Sequence, residues 1–155
     1  MTSSRLSLNR ILVAGGIFLT LSLGIRHGFG LFNLPITQAN GWGRETFALA
    51  IAIQNLVWGA TQPLFGGFAD RFGGYKVLLL GAVLYTLGLF GSSLSTSSIS
   101  FILTTGVVLG LALACTTYSI VYGILGRNCP PEKRVWAMGI AAAMGSFGQF
   151  LMIPV

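Results

Sequence analysis

The chain has 155 residues, 54% of them apolar and 8% charged, with a mean hydropathy of +0.81 and a formal net charge of +6. Such a composition excludes an ordinary soluble domain, which needs far more charged surface to stay in water. It also argues against a nucleic-acid binder, because the basic residues stand at the ends of apolar runs and form no stripe on one surface.

A hydrocarbon core of about 30 Å is crossed by about 20 apolar residues in a helix. Five runs reach that length, at residues 11–33, 46–68, 77–96, 99–123 and 135–155. Alternation of period two is lacking, so the predicted class is an all-α membrane protein with five transmembrane helices rather than a β-barrel. Arg5 and Arg10 precede the first run, which is too long for a secretory signal and has no Ala-x-Ala site after it.

Arg26 lies well inside that first run. A guanidinium near a helix centre costs roughly 2.5 to 3.5 kcal/mol, so its presence asks for a reason. Ser22, Arg26, Phe29 and Asn33 recur at helical spacing and predict one polar stripe facing a water-filled path. A fixed cation with forked donors suits a carboxylate, which makes Arg26 the first candidate for substrate binding. Two other readings stay open: a structural partner for a carboxylate outside this chain, and snorkelling toward the outer surface, about 24 Å along the helix from Arg10. His27 is a candidate for proton coupling, since an imidazole exchanges protons near neutral pH, or a packed or interfacial histidine.

Pro35 to Arg44 is read as the longer external connection, with Trp42 at the membrane interface. In the second run Gln54, Trp58, Thr61 and Gln62 share a face, and in the fourth Cys115, Tyr118, Ser119 and Tyr122 do so. Each face serves either interhelical hydrogen bonding or pore lining. Thr116, Tyr118 and, in the fifth run, Gln149 are further candidates for contacting substrate. Gly106 with Gly110, Gly139 with Ala143, and Gly145 with Gln149 are four apart and make faces on which backbones can approach closely. Cys115 and Cys129 would lie about 20 Å apart along a continuous helix, too far for a disulfide.

Arg127 to Arg134 is read as a turn, because Pro130 and Pro131 cannot continue a helix; Trp136 follows at the interface. Seven of the nine basic residues then fall on one side, which makes that side, and the amino terminus, cytoplasmic. No acidic residue lies inside a run, so a buried carboxylate relay is not expected. Nor does the sequence contain a metal-ligand cluster, a nucleotide-binding loop or another cofactor signature.

Between the second and third runs stands GGFADRFGGYK, Gly66 to Lys76. The spacing Gly66-x-x-x-Asp70-Arg71-x-Gly73, with Lys76 soon after, resembles the signature loop between the second and third helices of major facilitator superfamily transporters. NGWGRETFALAIAIQNLVWG, from Asn40 to Gly59, and GIRHGFGLF, from Gly24 to Phe32, are similar to the bacterial monocarboxylate-porter-like group. The resemblance runs from about Ile11 to Val155. It implies two six-helix halves around a midplane site, so the chain reads as five helices of an incomplete amino-terminal six-helix bundle with the second half absent.

By that resemblance the protein is a secondary transporter, not an enzyme. It moves small organic anions such as monocarboxylates by alternating access, in symport with a proton, in the bacterial inner membrane. The coupling group would be His27, the substrate itself or a residue outside this chain. The resemblance makes Gly66, Asp70, Arg71, Gly73 and Lys76 a loop that holds one conformation of the cycle. Asp70 would face the positive amino-terminal end of a neighbouring helix, while Arg71 and Lys76 stay with water or lipid phosphate. A pure topology anchor is the other reading. Two rival functions are a non-transporting membrane subunit that binds another membrane protein, and efflux of hydrophobic cationic compounds, which Arg26 would repel.

Overall fold

The computed structural model describes residues 8–152; Arg5 and the last three residues of the expected fifth span lie outside them. Five helical rods run through the described residues. The first comprises α1 (Leu8–Gly28), a 3-10 turn (Phe29–Phe32) and α2 (Asn33–Asn40), and the second is α3 (Arg44–Phe72). The third is α4 (Gly74–Ser93). The fourth comprises α5 (Ser98–Phe101), a π turn (Ile102–Val108), α6 (Leu109–Thr116) and α7 (Tyr118–Asn128), and the fifth is α8 (Pro131–Leu151).

Several boundaries differ from the sequence reading, each for a local reason. The expected loop from Pro35 is mostly helix: Pro35 occupies the first turn of α2, where its missing N–H has no intrahelical partner in any case. The chain reverses instead at Gly41, whose φ of 65° favours glycine. Pro131 likewise opens α8 rather than breaking it. The Gly66 to Lys76 stretch is not a loop at all. Residues through Phe72 complete α3, α4 starts at Gly74, and the reversal is made by Gly73 alone at φ 95°.

Three rods, Leu8–Asn40, Gly74–Ser93 and Ser98–Asn128, are long and apolar enough by themselves to cross a membrane. The 29 residues of α3 and 21 of α8 span about 43 and 31 Å. Polar residues such as Gln54, Asn55 and Gln62, or Glu132, Lys133 and Arg134, lower their hydropathy.

Small residues set the packing. α1 lies along α8, α3 lies along the fourth rod, and α4 covers another side of that rod. A Cβ on Gly148 would strike the backbone of Thr20, and one on Gly24 would come within 2.7 Å of the Gly148 carbonyl oxygen. Gly106 and Gly110 pack on α3 less tightly: a Cβ there would lie 3.2 Å from Ala50 O and 3.0 Å from Gln54 O. Gly145 packs on Leu23 and Tyr118, whereas Gly139 faces open space. Close approach of this kind is what holds helices together in lipid, where burial of apolar area gives little drive.

Two apolar clusters result, one around Leu19, Leu23, Val121, Leu125 and Ala141, the other around Phe29, Phe47, Phe101 and Leu113. Leu56, Ile99 and Phe150 stay exposed on the outside, as suits a surface facing lipid. Trp42 packs on Phe101, 5.5 Å between ring centroids, and Trp136 is exposed. Cys115 and Cys129 are free thiols, both buried.

Candidate functional site

Arg26 sits on the last turn of α1 and reaches across to α3. Its Nη2 donates to Asn55 Oδ1 at 2.5 Å, and its guanidinium carbon lies 4.8 Å from the centroid of the Trp58 ring. A hydrogen bond from a charged donor contributes roughly 1.5 to 3 kcal/mol and a cation–π contact about 1 to 2. Together they offset the cost of an arginine within the bundle. The offset is incomplete in one respect: Nε is buried and has no partner among the described residues. A cavity of about 580 Å³ opens here, lined by Arg26, His27, Phe47, Ile51, Gln54 and Asn55.

The expected polar stripe on α1 divides in two. Ser22 and Phe29 are buried, with Ser22 Oγ donating to Thr116 O at 3.4 Å and Tyr85 Oη donating to Ser22 O at 2.8 Å. Arg26 faces α3, and Asn33 Oδ1 is buried without a partner. His27 is exposed beside Arg26, its Nδ1 donating to Leu23 O at 3.0 Å, which leaves Nε2 toward the cavity side chains or solvent.

From Arg26 a polar seam continues through α3 to the fourth rod. Trp58 Nε1 donates to Thr117 Oγ1 at 3.3 Å, and Gln62 Nε2 donates to Ser119 Oγ at 3.1 Å. Tyr118 packs tilted against Tyr122, 5.4 Å between ring centroids, and its hydroxyl lies against Gly145 and Ser146 of α8. Gln149 is half-buried one turn on from Gly145 in α8. Thr116, by contrast, turns away: it is 1% exposed, its hydroxyl donates to Ala112 O at 2.9 Å, and its methyl packs toward Gly81 of α4. Its neighbour Thr117 is the one that meets the seam. Gln54 also serves structure, donating to Thr105 O at 3.0 Å within the π turn.

Asn55, Trp58 and Thr117 were not singled out together by the sequence. Asn55 is one position off the face through Gln54, Trp58 and Thr61, and nothing in the fourth run announces a break at Thr117. The signal that existed was the spacing of Asn55, Trp58 and Gln62, three and four apart on α3.

At the basic end, Asp70 pairs with Arg127 at the end of α7. Beyond the expected helix amino terminus, Asp70 thus has a side-chain cation for a partner among the described residues. Arg71 lies over the Phe72 ring at 5.4 Å, and Lys76 is exposed in the first turn of α4. Gly66 is half-buried on α3, and Gly73 makes the turn.

The family profile described as Major Facilitator Superfamily matches residues 6–155. A probable anion transporter 3, chloroplastic, of Oryza sativa subsp. japonica is 30% identical over 161 residues, covering 100% of this chain and 30% of the relative. A methyl viologen resistance protein of Salmonella typhimurium is 31% identical, covering 63% of this chain and 20% of its own. Monocarboxylate transporter 4 of Rattus norvegicus is 36% identical over 83 residues, 54% of this chain and 17% of its own. The chain thus spans 30% or less of the length of these three relatives. No solved structure matches.

Proposed function

Because the chain belongs to the Major Facilitator Superfamily and is a multi-pass membrane protein, we propose that it forms part of a secondary transporter for small organic anions, monocarboxylates foremost. Arg26 carries this reading. It is a buried-end cation at the head of a polar seam, with an Nε that lacks a partner and an Asn55 contact that an incoming carboxylate can replace. The first and fifth helices, α3 and α7 all contribute to that seam, which is where a substrate would pass between two halves.

Tyr118 and Gln149 extend the site toward α8, with Thr116 and Thr117 both buried behind it where the fourth rod breaks. A relative named as an anion transporter and another named as a monocarboxylate transporter favour the same class. Another relative is named for methyl viologen resistance, but under the efflux alternative a cationic substrate would meet Arg26 with no carboxylate in the seam to balance it. His27, beside Arg26 and exposed, is the candidate for passing the coupled proton. The end bearing Arg71, Lys76, Arg127, Lys133 and Arg134 is the cytoplasmic one, in the cell's inner membrane.

The test is uptake of a labelled monocarboxylate into proteoliposomes holding the whole carrier. Arg26→Ala lowers uptake efficiency roughly 100-fold at equal protein, the loss expected for one partner of a desolvated charge pair. Unchanged uptake in Arg26→Ala removes Arg26 from the site, and displacement of the label by a lipophilic cation rather than by other carboxylates would support efflux.

A further inference from the structure

The fourth rod does not run straight past the seam. Thr117 is extended, at φ −88° and ψ −179°, and divides α6 from α7 near the middle of a rod that is otherwise helical from Ser98 to Asn128. A break inside a membrane helix strips carbonyls and N–H groups of their intrahelical partners, so it persists only where neighbours supply them. One neighbour does: Ser22 Oγ of α1 donates to the Thr116 carbonyl at 3.4 Å. Trp58 Nε1 of α3 grips the break by its side chain instead, donating to the Thr117 hydroxyl at 3.3 Å, while Thr117 N–H donates to Leu113 O and its carbonyl accepts from Ile120 N. Thr117 is 1% exposed and its side chain makes no cap bond to α7, so the hydroxyl is held by Trp58 rather than by its own helix.

Both grips lead back to Arg26. Ser22 precedes it by one turn of α1, and the ring of Trp58 is the surface on which the guanidinium rests, 4.8 Å away. A guanidinium engaged by an anion binds an aromatic face less strongly than a free one, since part of its charge is neutralised. What occupies Arg26 therefore changes how firmly the Trp58 ring is held, and through the indole N–H how firmly the break is held.

We propose that Trp58 is a positioning residue that ties the state of Arg26 to the bend of the fourth rod at Thr117, so that loading the carboxylate site alters the geometry of α7 in the transport cycle. This rests on the carboxylate reading of Arg26 for its ligand, but not for the linkage itself. The linkage is between three side chains of this chain.

The experiment reads amide hydrogen exchange at residues 118–121, in the carrier reconstituted in lipid, for the unsubstituted protein, Arg26→Ala, Trp58→Phe and the double variant. Phenylalanine keeps the ring and loses the indole donor. Trp58→Phe should speed exchange there about fivefold, the size expected for one lost hydrogen bond. Arg26→Ala should change it in the unsubstituted background and add nothing in the Trp58→Phe background. Thr117→Val should behave as Trp58→Phe does, and Thr117→Ser, which keeps the hydroxyl, should match the unsubstituted protein.

In uptake of lactate, Trp58→Phe should lower the maximal rate about threefold with KM changed less than about twofold, because the bond lies between site and bend rather than on substrate. Additive effects of Arg26→Ala and Trp58→Phe on exchange, or a Thr117→Ser as perturbed as Thr117→Val, would overturn the linkage. If the unsubstituted carrier takes up no carboxylate, the substrate reading fails, and the exchange cycle alone decides the linkage.

Discussion

At the scale of the residue, Arg26 is a matter of what a guanidinium needs. Its Asn55 bond and Trp58 contact meet part of the need and leave Nε without a partner among the described residues; on the proposed carboxylate reading, that donor awaits an oxygen that comes and goes. Arg26→Lys separates charge from fork. A lysine keeps the cation but cannot make two parallel bonds to a carboxylate or lie flat on an indole, so uptake efficiency should fall about tenfold, between the unsubstituted protein and Arg26→Ala. KM for a monocarboxylate in proteoliposomes checks this; a lysine variant as poor as alanine would mean that fork geometry is the whole of the site, and one as good as arginine that bare charge suffices. The sequence made Arg26 legible because a charge inside an apolar run is costly. It did not make Thr117 legible, since threonine is common within helices and its extended backbone depends on Trp58 and Ser22 arriving from other rods.

At the scale of the element, glycine spacing foretold some helix contacts and not others. Gly106, Gly110 and Gly145 do let helices approach, whereas Gly139, equally well spaced, meets nothing within 4 Å. Spacing establishes that a small face exists but not what lies opposite it. Gly148→Val should therefore be destabilising by about 3 kcal/mol or more, because the atoms it strikes are the Thr20 backbone and cannot rotate away. Gly139→Ala should be neutral or stabilising by about 0.5 to 1 kcal/mol, through helix propensity alone. Thermal midpoints in one detergent measure both, and equal losses at the two sites would contradict the α1 to α8 packing. Pro131 reads as a stop and Pro35 as the start of a loop, yet both stand in first turns, where proline is at home.

At the scale of the whole molecule, α1 with α8, and α3 with the fourth rod, form two close pairs, joined where Arg26 reaches Asn55 and Ser22 reaches the Thr116 carbonyl. The pair between Asp70 and Arg127 ties the basic ends of α3 and α7 together. Arg127 is 45% and Asp70 72% exposed, so this pair contributes about 1 kcal/mol at most to stability. That is little for holding a fold but enough to shift two conformations of similar energy about fivefold. A carboxylate held at Arg26, as proposed, would lie beside Trp58, whose ring is 4.8 Å from the guanidinium and whose fluorescence would report on it. The most direct measurement is equilibrium titration of the lipid-reconstituted protein with a monocarboxylate and with the uncharged amide of the same acid, in the unsubstituted protein and in Arg26→Gln. The account predicts a saturable fluorescence change for the acid in the unsubstituted protein, at least about tenfold weaker for the amide and for Arg26→Gln. An amide that binds as well as the acid, or an Arg26→Gln that binds the acid unchanged, would contradict it.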